Sequence, residues 1–256
     1  MTSHSIVDFI DYRTSVPEAL DAVGAGPALA KQKAVLIKPN LVTDQPFPVT
    51  TAPECCSVII DYVRTHSRAE IIIAEGTGDP ARGTMDIFQS LGYTRLASEK
   101  SVGLTDLNHC PLVRLENPEC KRFPVFFMPE AAMDHFIISV PVLKAHSLSD
   151  FTGTLKNMVG FAPPEHYAGS GGIWNKAEFH IDIHQAITDL NRYRHADLTL
   201  LDASVGLADY HLGGRQCKPP VGKLVAGFDP LAVDRAAAGL LGLEWQNIGH
   251  LGWDFR

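Results

Sequence analysis

The chain has 256 residues, a formal net charge of −7 and 45% hydrophobic content. That length supports one large domain or two small ones with a real core, and the composition is that of a folded globular protein. The acidic balance lacks the basic field of a general nucleic-acid binder, and no apolar run reaches the ~20 residues of a membrane helix, so neither nucleic acid nor membrane is expected as a partner.

In chain order, Ile6–Ile10 alternates and reads as a strand. Val16 to Lys33 reads as a helix interrupted by Gly24, Gly26 and Pro27. Ala34–Ile37 is a buried strand running into Lys38-Pro39-Asn40, and the prolines at 46, 48 and 53 mark a loop. A helix over Glu54–His66 leads to a second buried strand, Glu70–Ala74, which ends in Glu75-Gly76-Thr77-Gly78-Asp79. Thr84 then caps a helix with Met85, Phe88 and Leu91 inward. Strand and helix alternate with short connections, the rhythm of an α/β fold with mostly parallel sheets covered by helices. Short β-like pieces at 103–107, 112–115 and 125–127 suggest a small antiparallel insertion.

Phe136–Val140 is the next buried strand, ended by Pro141, which has no N–H to donate. A polar run follows. Residues 162–179, rich in Pro, Gly and aromatics, read as a mobile loop or lid. A helix over 180–194, strands at Leu198–Leu201 and Leu224–Gly227, and a helix over 230–242 complete the chain. The expected arrangement is two lobes around a cleft, 1–130 and 131–256, with the polar run at their border.

That run concentrates the candidate chemistry. Lys144 and His146, two apart in extended chain, share a face. Thr152 or Thr154 could cap a short helix carrying Lys156 and Asn157. A histidine suits proton transfer near neutral pH, and a lysine beside other cations can lose its charge and act as base or nucleophile. Lys144, His146 and Lys156 are therefore the candidate catalytic set. Lys38, Asn40, Thr152, Asn157, Glu75, Gly76 and Thr77 are candidates for holding a small anionic molecule at strand ends, where α/β sheets collect ligands. The Glu75–Asp79 turn is neither a P-loop nor a dinucleotide fingerprint. A second acid or base opposite His146 would favour an isomerase over a binding protein, and His109 and His166 are the nearest guesses. His180 and His184, four apart, could share a helix face and a metal, though the Glu of the zinc-protease pattern is Ile181 here. Asp202, Asp229 and Asp234 lie at or just beyond strand ends, where a carboxylate binds a ligand or caps a helix.

The same residues resemble the signature of domain-of-unknown-function family 362. Its Val-Pro-x-x-Lys-x-His run matches Val140, Pro141, Lys144 and His146, and its Thr-Gly-x-x-Lys-Asn-x-x-Gly matches Thr152, Gly153, Lys156, Asn157 and Gly160. Lys38-Pro39-Asn40, Glu75-Gly76, Asp229-Pro230 and Val233-Asp234 resemble further family elements, over roughly residues 34–251. Many members carry an iron–sulfur segment. This chain has no C-x-x-C, so no iron–sulfur cluster is expected, and the cofactor is otherwise not indicated. A fainter resemblance is to the lactate racemase family. There a His acts as acid/base and a Lys ten residues later, the spacing of His146 and Lys156, tethers a nickel-pincer nucleotide. That family's metal-binding His corresponds to Gly172. The resemblances imply an enzyme with racemase- or isomerase-like proton transfer on a small anion, with a redox enzyme or a non-catalytic ligand- or cofactor-binding protein as alternatives.

The five cysteines, Cys55, Cys56, Cys110, Cys120 and Cys217, are odd in number, and two are adjacent. That argues against a disulfide framework and for a reducing, cytoplasmic setting. Met1–Asp11 has no basic head and no long apolar centre, so no signal peptide is read there.

Overall fold

The computed structural model describes residues 4–170 and 174–252. Its strands are β1 (Ser5–Asp8), β2 (Ala34–Pro39), β3 (Glu70–Glu75), β4 (Gly103–Asp106), β5 (Leu112–Glu116), β6 (Val125–Pro129), β7 (Phe136–Val140), β8 (Val142–His146), β9 (Asp150–Thr152), β10 (Leu198–Leu207) and β11 (Lys223–Gly227). Among the described residues nine of them form one mixed sheet, in the order β1-β11-β10-β7-β2-β3-β4, with β8 joined to β10 and β9 to β8. The run from β10 to β4 is parallel, and β11 and β1 close one edge antiparallel. The fold is α/β, as the alternation of elements predicts. The strands expected at Ala34–Ile37, Glu70–Ala74, Phe136–Val140 and Leu198–Leu201 are all present.

The strands bury both faces, which is why they read as continuous apolar runs rather than as alternating ones. Val35 and Ile37 of β2 enter the cluster beneath the helices Tyr12–Ala22 and Pro53–His66, while Leu36 enters the opposite one. Ile138 and Val140 against Ile137 of β7 repeat the division. A third cluster joins Leu201 and Ala203 of β10 to the helices Ile183–Tyr193 and Pro230–Leu240. Each such side chain, fully buried, contributes about 1.5–3 kcal/mol.

Some elements differ from the sequence reading. The first helix breaks at Gly24, whose φ of +73° a side chain would strain, giving Tyr12–Ala22 and Ala25–Leu29. Met85, expected inward, is exposed, because the helix Thr84–Ser90 turns the face of Ile87 and Phe88 to the core. The middle region divides. β5 and β6 form the expected antiparallel pair, but β4 joins the main sheet parallel to β3. Pro141 ends β7 at Val140, as expected, and the chain resumes one residue later as β8. β7 lies between β2 and β10, and β8 continues beside β10 and folds back as a hairpin on β9. Strands from both sides of residue 130 are thus hydrogen-bonded in one sheet, with β7 beside β2. All five cysteines are free thiols. Among the described residues no helix is long and apolar enough to cross a membrane.

Candidate functional site

The chain lays down β2, β3 and β4 outward in one direction, then returns to place β7 on the other flank of β2. Such a reversal leaves a crevice at the carboxyl ends of the strands. A cavity of about 250 Å³ opens there, and Lys38, Asn40, Glu75, His146, Lys156 and Asn157 are among its lining residues.

Its floor is a closed polar network. Lys38, fully buried near the end of β2, places Nζ 2.7 Å from Oε1 of Glu75 at the end of β3. Glu75 also accepts the amides of Leu41 (3.0 Å) and Gly76 (2.8 Å). Burial pushes the Lys38 ammonium down from its usual pKa, and the Glu75 charge opposes that. Asn157 binds this pair to the sheet. Its Oδ1 accepts from Lys38 and from Asn40, each at 3.3 Å, and its Nδ2 donates to the Lys38 carbonyl and the Ser139 hydroxyl.

The two glycines, the lysine and the asparagine of the Thr-Gly-x-x-Lys-Asn-x-x-Gly spacing each have a physical cause. β9 ends at Thr152, and the four-residue helix Thr154–Asn157 follows. Neither threonine caps it. Asp234, on the distant helix Pro230–Leu240, accepts the Thr154 amide at 2.7 Å and the Leu155 amide at 2.9 Å. Burial pushes its carboxyl up to about 7, and the two amides pull against that. Gly153 admits the carboxylate, since a Cβ there would lie 2.2 Å from Asp234 Oδ1. Gly160 does the same for the floor, where a Cβ would lie 2.2 Å from Glu75 Oε1. Between the two glycines one turn of helix aims Lys156 and Asn157 at the crevice.

The other candidate residues separate by their partners. Lys144 stands behind Asn40, with Nζ 2.5 Å from Asn40 Oδ1 and 2.7 Å from the Val49 carbonyl, and does not line the cavity. Burial, then the nearby Lys156, pushes it down to about 7. The Thr77 hydroxyl donates to the Val42 carbonyl. The Thr152 hydroxyl is buried and, among the described residues, unpartnered. Lys156 is held down to about 8 by burial, yet its surface is only partly covered and opens on the cavity. Among the described residues it makes no hydrogen bond and no ion pair. For Lys38 the protein already supplies the counter-charge, in Glu75.

His146 faces this cavity in a fixed tautomer. Its Nδ1 accepts the amides of Leu148 (3.1 Å) and Ser149 (3.2 Å), so the neutral ring carries its proton on Nε2. Burial, reinforced by Lys156, drives its pKa far below the usual range. Its ring stacks on His211, with centroids 3.7 Å apart and planes 19° from parallel. His211 is pushed down to about 3, first by burial and then by Lys156, and its buried Nδ1 has no partner among the described residues.

His211 sits in an irregular loop after β10, without periodicity or spacing to mark it. The two guesses for this role are elsewhere. His109 is exposed on Asp106, and His166 stacks on Phe127. The proposed His180–His184 pair fails because Asp182, at φ +52°, separates the 3₁₀ turn Ala177–His180 from the helix Ile183–Tyr193. His180 lines the cavity, while His184 pairs with buried His250, Nδ1 to Nδ1 at 2.9 Å. Asp229 caps the helix Pro230–Leu240 through Leu231 and Ala232. Asp202 accepts from Tyr12 and Ser204 and does not line the cavity.

The 162–179 segment contributes Trp174, Lys176 and Phe179 to the cavity wall. Lys176, unmarked in sequence, is buried. Its Nζ donates to Asn108 Oδ1 and to the carbonyls of Gly160 and Ala162, and burial pushes it down to about 7. Among the described residues no group of three metal-ligand side chains forms. The position of the lactate racemase metal His, Gly172, offers no ligand atom and lies outside the described residues. The residue matching that family's metal-binding His is thus not a histidine in this chain.

A family model described as "Domain of unknown function (DUF362)" matches residues 35–239. No curated protein matches. Among solved structures the chain is similar to the lactate racemase apoprotein from Thermoanaerobacterium thermosaccharolyticum, with a TM-score of 0.60 and 12% identity. The match covers 95% of this chain and 57% of that one, so the chain spans just over half the length of the structure it matches. At that identity the likeness is one of fold.

Proposed function

This chain belongs to the family described as Domain of unknown function (DUF362), and on that premise we propose that its cavity is an active site moving a proton on a small organic anion. One observation carries the reading. Lys156 lines the cavity and, among the described residues, has no hydrogen-bond or ion-pair partner, whereas Lys38, Lys144 and Lys176 are all engaged. A carboxylate at Lys156 would complete it, and the ligand's charge would hold the lysine protonated.

In this reading Lys156 anchors the anion and His146 donates from Nε2 to one of its oxygens. Because Nδ1 of His146 is occupied by two amides, that ring serves as a hydrogen-bond donor and not as a base. In the free protein burial and Lys156 hold His211 low; the charge of a bound carboxylate raises it, and the ring then takes the proton from the carbon next to the carboxylate. The C–H electron pair moves onto the carboxylate, where Lys156 and His146 stabilise the added charge, and the imidazolium returns the proton. Stacked rings approach a ligand from one side, so this arrangement favours a same-face proton shift. A racemisation would need His180, from the other segment, on the opposite face. The similar solved structure is named a lactate racemase, an activity on a small carboxylate, which accords with this class of chemistry.

The test is proton exchange in D₂O. Small 2-hydroxy, 2-keto and 2-amino acids are incubated with the full chain, and loss of the α-proton signal is followed by NMR. Exchange with at least one acid, abolished in Lys156→Met and cut at least a hundredfold in His211→Phe, is expected. Binding without exchange would leave a ligand-binding protein. Neither binding nor exchange would end the reading.

A further inference from the structure

The cavity's mouth carries a second signal. Leu148 is 54% exposed and Tyr210 43% exposed, yet both line the cavity. They come from unrelated segments. Leu148 sits at the tip of the β8–β9 hairpin, in a turn fixed by the two amides that bond His146. Tyr210 lies in the loop after β10, its ring edge-on to His211 at 4.9 Å. Trp174, Phe179 and Ile183 add further apolar surface to the lining of the cavity that Lys156 also lines. A single exposed leucine needs no explanation. Two large apolar side chains, held by separate loops over one cavity with an unpartnered cation inside, are matched to a ligand of two halves.

We propose that the ligand is an amphiphilic carboxylate, an aliphatic or arylalkyl acid whose head meets Lys156 and whose apolar body runs past Trp174 to Leu148 and Tyr210. This rests on the reading of Lys156 as an anion anchor and excludes a lactate-sized molecule as the preferred ligand. A body ending inside the cavity would leave the two mouth side chains in water. One that reaches them removes apolar surface from water on both sides.

The experiment is isothermal titration calorimetry of the full chain with acetate, butyrate, hexanoate and 3-phenylpropionate, with hexanamide as the uncharged control. Affinity is expected to rise about fourfold per methylene from acetate to hexanoate. Leu148→Ser and Tyr210→Ser, with melting checked against the parent, should each reduce the hexanoate-to-acetate ratio, and the double variant should reduce it by about tenfold or more, the part of the gain made along Trp174, Phe179 and Ile183 remaining. Equal affinity for acetate and hexanoate overturns the inference and leaves the anion site standing. Hexanamide binding as well as hexanoate overturns the head-group reading and leaves the apolar mouth standing. No binding by any of the five overturns both.

Discussion

Lys38 and Lys156 border the same cavity in opposite states. Lys38 is buried against Glu75, whose carboxylate is itself held by two amides, so its charge is matched within the protein. Lys156 is aimed by a helix that Asp234 caps, and it ends without a partner among the described residues. In sequence neither lysine shows a partner nearby, each lying just past a strand or at a helix start. The difference lies in what reaches them from elsewhere in the chain. A buried charge that is matched is structural, and one left unmatched at a cavity is the place where a ligand completes the protein.

The contrast breaks most visibly at Glu75. Glu75→Gln leaves the Lys38 charge buried and unmatched, and a cost of about 3–5 kcal/mol in urea denaturation is expected. A parent-like midpoint would mean that Lys38 is no more dependent on its partner than Lys156 is.

Next comes the device that aims Lys156. Asp234→Asn turns one acceptor oxygen into a donor facing an amide, with an expected loss of about 1–2 kcal/mol. Carboxylate affinity should weaken in the same variant, because the helix carrying Lys156 loses its anchor. Lost stability with unchanged affinity would detach the cap from the site.

The smallest effect has the opposite sign. Burial holds folded Lys156 at about 8, below the ~10.4 of an unfolded lysine. Between those values the unfolded chain binds more protons, so stability rises with pH across that window. Below pH 8 the penalty is fully present. Lys156→Met should therefore be more stable than the parent at pH 7; the two values set a ceiling of about 3 kcal/mol, which the partial exposure of Lys156 to solvent reduces to about 1 kcal/mol, with the gap closing toward pH 10. Thermal melts at the two pH values read it. Destabilisation at pH 7 would place Lys156 beside Lys38 as a structural cation.

The strands were legible because β-branched runs buried on both faces leave a composition signal, as in Ala34–Ile37 and Ile71–Ala74. Lys156 and Asn157 were legible as a pair because a single helical turn holds them. Long-range partners left no local pattern. Glu75 was read as a ligand-binding residue because nothing near it in the chain shows that Lys38 pairs with it. Asp234 was read as one carboxylate among three, since its amide partners lie in a different element. His211 and Lys176 come from irregular loops, where a side chain's direction has no period to be read from. His180 and His184 failed for the converse reason. A helical spacing was assumed across Asp182, where the chain is not helical.

The antiparallel edge sets a timetable for assembly. Ser5 of β1 pairs with Ala226 of β11, and β11 in turn covers β10. At 5–20 residues per second, β1 waits on the ribosome for roughly 10–45 s before its partner strand has been made. For the last roughly 1–4 s of that wait, between the synthesis of β10 and of β11, β10 presents an unpaired edge, a template for another nascent chain. The residues of the cavity, from Lys38 to His211, have all been synthesised before that edge can close. The site can therefore take shape while the sheet is still open to misassociation, and a ligand bound early would act on the race between closure and aggregation.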